Sequence, residues 1–405
     1  MGGDMARNAI GRRGVLVGGA GLAVASAWPW RATAEEASIT LGAVLPLTGN
    51  GGVYGPPMAR AMQWVIGRIN DAGGVLGRKL QLAVEDDETN PDAGVRAARK
   101  LIDVDKVPAI LGTWASAVTT AVAPLCWENK VFLTTVSGSD TITKLPHMGY
   151  LIRTQPTTIL QMTKLGAFIA SVGAKQVFIL GAQAPFVESV HKTLSEVLPQ
   201  HGVQLVGQVI YDQTKTSFRS EVDEALKAKP DMIFLNGYQG DSTILLKELY
   251  RAGYDGKKIG LAYAINQKVL EGLPPEVTEG VYTLAPSPEI DSPAYKRLSQ
   301  ALGIADLDPY TCQVTDHASM VTLAMAQGGA ASGLSIHDNI RKVTEPGGTV
   351  VDDVVEGLKL LTQGKQVKYT GVSGPCVFTD IGDILDCKFR YEQAAAGKFK
   401  LLRIG

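Results

Sequence analysis

The feature that most constrains the fold is a regular alternation between short apolar runs and longer amphipathic stretches. Ile39–Leu45 predicts a β-strand, and Tyr54–Ala72, where apolar residues recur at helical spacing, predicts the helix that follows it. Strands connected by helices in this way form parallel sheets covered by helices on both faces. The alternation therefore predicts an α/β fold.

The alternation occurs in two successive sets. The first set ends near the predicted strand Val131–Thr134, and the second runs from a predicted helix at Gln161–Val172 to a predicted strand at Val281–Leu284. A chain of 405 residues is long for one ordinary domain and suits two. We therefore expect two doubly wound parallel-sheet lobes, followed by a mainly helical region and a C-terminal hairpin.

The N-terminal segment has the pattern of an export signal. Arg12 and Arg13 precede an apolar run, Val15–Ala27, that is too short for a membrane span of about 20 residues, and small residues follow at Ala32–Ala34. We expect residues 1–34 to be removed near Ala34 and the mature protein to work in the periplasm. The paired arginines favour the twin-arginine export route. A general secretory signal that contains two arginines is the alternative.

Composition and motifs exclude several classes of function. A formal net charge of −1 gives no basic excess for nucleic acid or an anionic membrane surface. The five histidines show no metal-ligand spacing, and the acidic stretch Asp86–Asp92 lacks the glycine and the closing glutamate of a calcium loop. No phosphate-binding loop or nucleophile motif is present. We expect neither a metal, nor a cofactor, nor an enzyme.

Four cysteines remain in the predicted mature chain. Cys376 and Cys387 flank a segment with a turn at Asp380–Asp383, and a hairpin there would bring the two sulfurs close together. We therefore predict a disulfide bond between them. Cys126 and Cys312 are more typical of buried small hydrophobic residues.

Several blocks in a fixed order resemble one known family. They are Gly42–Gly49, Ile69–Lys79, Glu85–Asp87, Ala93–Leu101, Ile110–Thr119 and Pro375–Asp383. Over nearly the whole mature chain, the sequence resembles the exported solute-binding proteins of branched-chain amino acid type ABC importers, the type I periplasmic binding proteins. The resemblance implies two lobes joined by crossover strands, with a small ligand held in the cleft between them.

The same resemblance implies how the chain is divided between the lobes. The N-terminal lobe would comprise residues 39–153 plus 286–365. The C-terminal lobe would comprise residues 154–285 plus 366–405.

Candidate ligand-binding residues in the first lobe follow predicted strands. Ser116 and Ala117 open a helix, whose free N–H groups suit a carboxylate, and they match family positions that hold the ligand carboxylate. Ser137 and Ser139 match a second binding loop. The alternatives are a helix cap at Ser116 and a plain polar turn at 137–139. Two aromatic residues complete this wall: Tyr54, which could be a surface turn residue, and Trp114, which could pack between helices.

The second lobe supplies Phe186, Tyr238 and Tyr263, each after a predicted strand. The alternative for each is an ordinary partly buried aromatic residue. At the position of Tyr263, amino acid binders of the family commonly have Glu, which pairs with the ligand ammonium. Tyrosine carries no negative charge near neutral pH. We therefore expect a carboxylate ligand, either an amino acid or an aromatic or apolar organic acid that lacks the ammonium group.

The resemblance implies a transport protein that delivers its ligand to the permease subunits of an ABC importer in the inner membrane. A ligand-sensing module that regulates a receptor or signalling partner is the alternative, because the fold permits it.

Overall fold

A computed structural model describes residues 38–405, so the predicted signal peptide lies outside the described residues. The first sheet has five parallel strands in the order β2-β1-β3-β4-β5. Its strands are β1 Ile39–Leu45, β2 Leu80–Asp86, β3 Ala109–Gly112, β4 Phe132–Thr135 and β5 Leu151–Arg153. Its connecting helices are α1 Gly55–Asp71, α2 Pro91–Asp103 and α3 Ser116–Glu128.

Local chemistry explains where these helices begin. The side chain of Asn90 accepts hydrogen bonds from the backbone N–H groups of Asp92 and Ala93, and Pro91 occupies the first position of α2. Helix α3 differs, because the residue before it is Ala115, which provides no side-chain cap. The first N–H groups of α3 are therefore left for other acceptors.

The second set of elements forms another parallel sheet. Its first strands are β6 Gln176–Ala182, β7 Gln204–Tyr211, β8 Met232–Asn236, β9 Lys257–Leu261 and β10 Tyr282–Pro286. Its helices are α4 Thr158–Ser171, α5 Pro185–Gln200, α6 Arg219–Lys227, α7 Gln239–Arg251, α8 Gln267–Glu271 and α9 Pro275–Thr278. Buried side chains form a separate core on each face of this sheet.

The remaining elements are divided between the two lobes. The helices are α10 Pro293–Leu302, α11 Pro309–Gly328, α12 Gly333–Asn339 and α13 Val354–Thr362, and short 3-10 turns lie at Gly49–Gly51, Ile142–Lys144 and Arg341–Val343. The strands are β11 Thr349–Val351, β12 Val367–Gly371, β13 Gly374–Pro375, β14 Phe389–Ala395 and β15 Lys398–Ile404. Strands β11–β13 form a small sheet, and β14 and β15 complete a seven-stranded sheet in the order β15-β14-β10-β9-β8-β6-β7.

Two α/β lobes with parallel sheets are thus confirmed, but the last segment is divided differently from our expectation. We placed 366–405 in the C-terminal lobe. The side chains of Val367, Tyr369, Phe378 and Ile384 instead belong to the core around the first sheet. Only β14 and β15 join the second sheet, because β14 pairs antiparallel with β10. We propose that the chain makes its last crossing between lobes at residues 385–388.

The disulfide prediction is wrong in this structure, where Cys376 and Cys387 are both free. The turn does form, with Phe378 paired to Ile384, but that register places Cys376 opposite Asp386. A shift of one residue directs neighbouring side chains to opposite faces. Cys376 is accordingly buried in the first core, whereas Cys387 packs against a core of the second lobe.

In the part of the chain from 38 to 405, no helix combines the length and apolar character needed to cross a membrane.

Candidate functional site

Six aromatic side chains meet where the carboxyl ends of the two sheets face each other. Tyr54, Trp114 and Tyr310 come from the first lobe, and Phe186, Tyr238 and Tyr263 come from the second. The Trp114 ring is central: its centroid lies 5.4 Å from that of Tyr54, 5.8 Å from that of Tyr310 and 6.0 Å from that of Tyr263. These separations are typical of favourable ring contacts. We call this group the aromatic cluster.

The position of Trp114 depends on small residues and on a buried hydroxyl group. A side chain at Gly51 would place its Cβ 2.7 Å from the indole ring, so the close approach requires glycine. The hydroxyl of Ser137 donates to the carbonyl oxygen of Trp114 at 2.8 Å. Ser137 is 1% exposed, so its side chain supports the wall of the cleft from behind.

The N-terminus of α3 forms the polar end of the cleft. Ser116 opens this helix, and its Oγ accepts a hydrogen bond from the backbone N–H of Ser139 at 3.3 Å, which leaves its own hydroxyl proton able to donate. Ala117 is half-buried and contributes a backbone N–H in the same first turn. Free N–H groups and the positive end of the helix dipole together favour a carboxylate here.

In the loop that follows β4, the serine hydroxyls bond to other protein groups, so mainly backbone atoms face the cleft. Ser139 is buried, and its hydroxyl lies 2.9 Å from the hydroxyl of Ser189 on the opposite lobe. Gly138, which lies between Ser137 and Ser139 in the chain, is so close to Phe186 that a Cβ there would be 2.6 Å from the ring. The hydroxyls of Ser137 and Ser139, two predicted ligand contacts, thus form hydrogen bonds with other groups of the protein, which we call the supporting network. Gly138 faces Phe186 on the opposite side of the cleft.

Arg153 holds this loop in place and was missed by the sequence analysis. Its side chain is fully buried, donates from Nε to Asp383 at 2.5 Å, and donates from Nη1 to the carbonyl oxygen of Ser139 at 2.7 Å. The partner lies 230 residues away along the chain, so no local pattern pointed to the pair.

Hydrogen bonds hold the two lobes together across the aromatic cluster. The hydroxyl of Tyr54 donates to the carbonyl oxygen of Tyr263 at 2.9 Å and accepts from Nδ2 of Asn266 at 3.0 Å. Farther out, Nδ2 of Asn50 donates to Oε1 of Gln213 at 3.1 Å. The cleft is therefore closed in this structure.

The tyrosines of the cluster are uncharged near neutral pH, and burial moves their ionisation to still higher pH. Burial raises the pKa of Tyr263 and of Tyr310 well above the ordinary value, and it raises the pKa of Tyr238 to about 12. At physiological pH these phenols are hydrogen-bonding groups without a negative charge.

Two cavities adjoin the aromatic cluster. The small chamber, of about 40 Å³, is lined by Ser116 and by four of the predicted aromatic residues, Trp114, Phe186, Tyr238 and Tyr263, and also by Ala115, Val136, Gly138, Gln155 and Tyr310. None of these ten residues carries a formal charge. The large chamber, of about 570 Å³, is lined by Tyr54 and shares Gln155, Tyr263 and Tyr310 with the small one.

Tyr310 and Gln155 are site residues that the sequence analysis missed. Tyr310 lies in the first turn of α11, which begins at Pro309 after its capping residue Asp308. Asp308-Pro309 is a recognisable helix start, but the sequence analysis did not single it out. Gln155 lies in the crossover between β5 and α4, where no periodic pattern distinguishes it.

Among the residues from 38 onward, no group of three or more His, Cys, Asp or Glu side chains is arranged to hold a metal ion.

The sequence matches the model of the family described as periplasmic binding protein over residues 38–382. One relative, the substrate-binding protein BasB of the chemotactic signal transduction system of Halobacterium salinarum, is 25% identical over 83% of this chain and 82% of its own length.

Among solved structures, a leucine-binding protein from Thermotoga maritima aligns with a TM-score of 0.76 and 20% identity, over 90% of this chain and 98% of that one. An ABC transporter solute-binding protein from Rhodopseudomonas palustris, in complex with 3,4-dihydroxybenzoic acid, aligns with a TM-score of 0.73 and 22% identity, over 91% and 97% of the two chains.

Proposed function

The chain belongs to the periplasmic binding protein family, in the branch associated with branched-chain amino acid ABC importers, and on this premise we propose that it binds an aromatic or apolar carboxylic acid between its lobes. In this proposal, the carboxylate lies at the N-terminus of α3, near the hydroxyl of Ser116 and the N–H of Ala117. The apolar part of the ligand lies against the aromatic cluster.

The observation that carries this choice of ligand is the uncharged wall opposite Ser116. An amino acid brings an ammonium group, and burying that group without a carboxylate partner is strongly unfavourable. No Asp or Glu lines the small chamber, and Tyr263 presents a phenol that is neutral near pH 7. An acid without an ammonium group suits this wall. One solved protein of the same fold is described in complex with such an acid, 3,4-dihydroxybenzoic acid.

The proposed biological role rests on the family to which the chain belongs. We propose that residues 1–34 direct export and are removed near Ala34, and that the ligand-bound, closed protein docks on permease subunits in the inner membrane. Closure is a hinge motion in which the ligand bridges the two lobes and stabilises the closed state.

A thermal-shift screen of residues 35–405 tests the choice of ligand, because a compound that binds only the folded state raises the melting temperature. The panel contains benzoate and hydroxybenzoates, branched-chain and polar amino acids, amides and dicarboxylates. We expect stabilisation by aromatic monocarboxylates. Stabilisation by leucine or valine instead, confirmed by calorimetry, would contradict the proposed ligand class while leaving the transport role intact.

A sensing role is the second candidate, because one relative is named as part of a chemotactic system. Both roles need a closed, ligand-bound form and differ in the partner. Uptake of radiolabelled ligand by proteoliposomes that hold the cognate permease, dependent on the binding protein, would support transport. Binding to a transducer without ligand uptake would support sensing.

A further inference from the structure

Among the residues that line the small chamber, Gln155 alone carries a side-chain amide. It is 4% exposed and lies between β5 and α4, in a segment that crosses from the first lobe to the second. Ser116 lines the same chamber. The orientation of the Gln155 amide therefore decides which hydrogen-bonding group the chamber offers a ligand in addition to those of α3.

The oxygen of this amide already has a partner. Oε1 of Gln155 accepts a hydrogen bond at 3.0 Å from Nε2 of Gln313, on α11. The same Nε2 donates to the backbone carbonyl oxygen of Thr154 at 3.3 Å. Because a backbone carbonyl only accepts, it fixes which end of the Gln313 amide faces it. Gln313 in turn fixes the amide of Gln155, whose oxygen faces Gln313 and whose NH2 group faces away.

The NH2 group of Gln155 is accessible. Within residues 38–405 its nitrogen has no hydrogen-bond acceptor, yet it is not one of the unpartnered polar atoms that are sealed inside the protein. Oε1 of Gln313, by contrast, is sealed and has no donor. An NH2 group donates and does not accept, so the free group of Gln155 favours a ligand atom that accepts.

The small chamber is about the size of a carboxylate group. Its volume of about 40 Å³ has room for about three water molecules, so a group that fills it contacts both Ser116 and Gln155. On one side are the N–H groups of α3, and on the other is the NH2 group of Gln155. Both sides donate, which suits the two oxygens of a carboxylate. A primary amide has one oxygen and one NH2 group, and its NH2 group faces a donor in either orientation.

Resting on the proposed function, we infer that Gln155 binds the second oxygen of the ligand carboxylate and sets a preference for an acid over its amide. One oxygen lies at Ser116 and Ala117, and the other accepts a hydrogen bond from Nε2 of Gln155. Gln313 is a positioning residue, because it holds the Gln155 amide in the donating orientation.

Calorimetry with benzoate and benzamide tests this inference, because the two compounds have nearly the same shape and differ in the group that lies at Ser116. Gln155→Met keeps the length of the side chain and removes the donor. It should weaken benzoate binding at least about tenfold and benzamide binding less than about threefold, since only the acid loses a hydrogen bond. Gln208→Met, at an exposed position of β7, is the matched control and should change neither affinity.

Retained benzamide binding shows that Gln155→Met is folded. Gln155→Leu, a smaller apolar substitution, should give the same pattern and serves if the methionine variant does not fold. Where another aromatic acid binds more tightly than benzoate, that acid and its primary amide form the pair of ligands.

Gln313→Met tests the positioning role. Without Gln313, the amide of Gln155 can turn and present its oxygen to the NH2 group of benzamide. The ratio of benzoate affinity to benzamide affinity should therefore fall at least about threefold while benzoate still binds. A merely structural role for Gln313 would weaken both ligands alike and leave this ratio unchanged, which would contradict the positioning role.

The outcomes separate this inference from the proposed function. If benzoate binds the wild type and Gln155→Met equally well, or if both ligands weaken alike in that variant, Gln155 does not bind the carboxylate, and the proposed ligand class stands. If no aromatic acid binds the wild type, the ligand class is refuted and the inference with it.

Discussion

The hydroxyl of Tyr54 in the first lobe donates a hydrogen bond to the backbone carbonyl of Tyr263 in the second, with 2.9 Å between the two oxygens. The same hydroxyl accepts from Asn266, so one phenol joins the two lobes at the edge of the aromatic cluster. The ring of Tyr54 meanwhile stacks on Trp114. The hydroxyl of Tyr54 therefore stabilises the closed arrangement of the two lobes.

Tyr54→Phe should weaken ligand binding about fivefold or more. The substitution keeps the ring on Trp114 and removes hydrogen bonds worth about 0.5–1.5 kcal/mol each, which stabilise the closed form that binds the ligand. Calorimetry measures the affinity, and small-angle scattering measures the closed fraction. Tyr250→Phe, at an exposed tyrosine, is the control. Unchanged affinity together with an unchanged closed fraction would show that the Tyr54 hydroxyl does not stabilise the closed form.

Tyr263→Glu should change the class of ligand. A carboxylate at this wall repels an acid that has no ammonium group and offers a partner to the ammonium of an amino acid. We expect aromatic acids to bind at least about tenfold more weakly and leucine binding to become measurable. Tyr263→Gln is the neutral control, because it removes the ring without adding charge. If both variants behave alike, charge at this position does not select the ligand.

Ser116→Ala should reduce affinity for carboxylates about three- to tenfold, because it removes a donor to the ligand and the acceptor for the N–H of Ser139. Ser116→Thr, which keeps the hydroxyl, should recover most of the binding. Ser195→Ala, at an exposed serine, should have no effect. If Ser116→Ala binds carboxylates with wild-type affinity, the proposed position of the ligand carboxylate at the N-terminus of α3 is wrong.

Asp87 should make the free energy of unfolding depend on pH. Burial raises its pKa to about 7, with the charges of Asp86 and Glu88 adding to the effect, whereas its pKa in the unfolded chain lies near 4. The folded state thus binds the proton more tightly, and the stabilising contribution, complete below pH 4, is lost as the pH rises towards 7 and above.

Urea unfolding at pH 4.5 and pH 8 measures this contribution. The wild type should lose more stability between the two values than Asp87→Asn, which cannot ionise. Asp103→Asn, at an exposed position, should follow the wild type. The same pH dependence in wild type and Asp87→Asn would mean that Asp87 is already ionised in the folded protein.

Arg153→Leu should destabilise the first lobe by about 3–5 kcal/mol, because it leaves Asp383 without its buried partner. It should also weaken ligand binding, since Arg153 holds the loop that carries Ser139. The control is Arg96→Leu, whose 3.8 Å pair with Glu88 is exposed and should contribute less than about 1 kcal/mol. Chemical denaturation measures both. If Arg153→Leu lowers the free energy of unfolding by less than about 1 kcal/mol, the buried pair with Asp383 does not stabilise the lobe as proposed.

Local sequence signals predicted most of the individual elements. β1 occurs with the predicted bounds, and α3 begins at Ser116, where a helix start was predicted. Each of these follows from periodicity or from capping groups within a few residues. The start of α11 was missed, although Asp308-Pro309 marks it, because the largely buried helix lacks a clear polar face.

The aromatic residues of the site could be anticipated because each follows a strand, and the carboxyl ends of parallel strands meet at one edge of a sheet. Their contacts could not. Ser137 and Ser139 occur in the predicted loop, yet whether their hydroxyls face the cleft or the supporting network depends on Thr119, Trp114 and Ser189, which belong to other elements.

By itself, the sequence determined the two α/β lobes, the order of their elements and the aromatic character of the cleft, because apolar periodicity and turn chemistry act over short distances along the chain. Only the tertiary structure decided three further features. These are the separation of Cys376 from Cys387, the Arg153–Asp383 pair and the two chambers that meet at Tyr263. Each depends on register or on contacts between residues far apart in the chain, and such contacts are fixed only when the lobes pack.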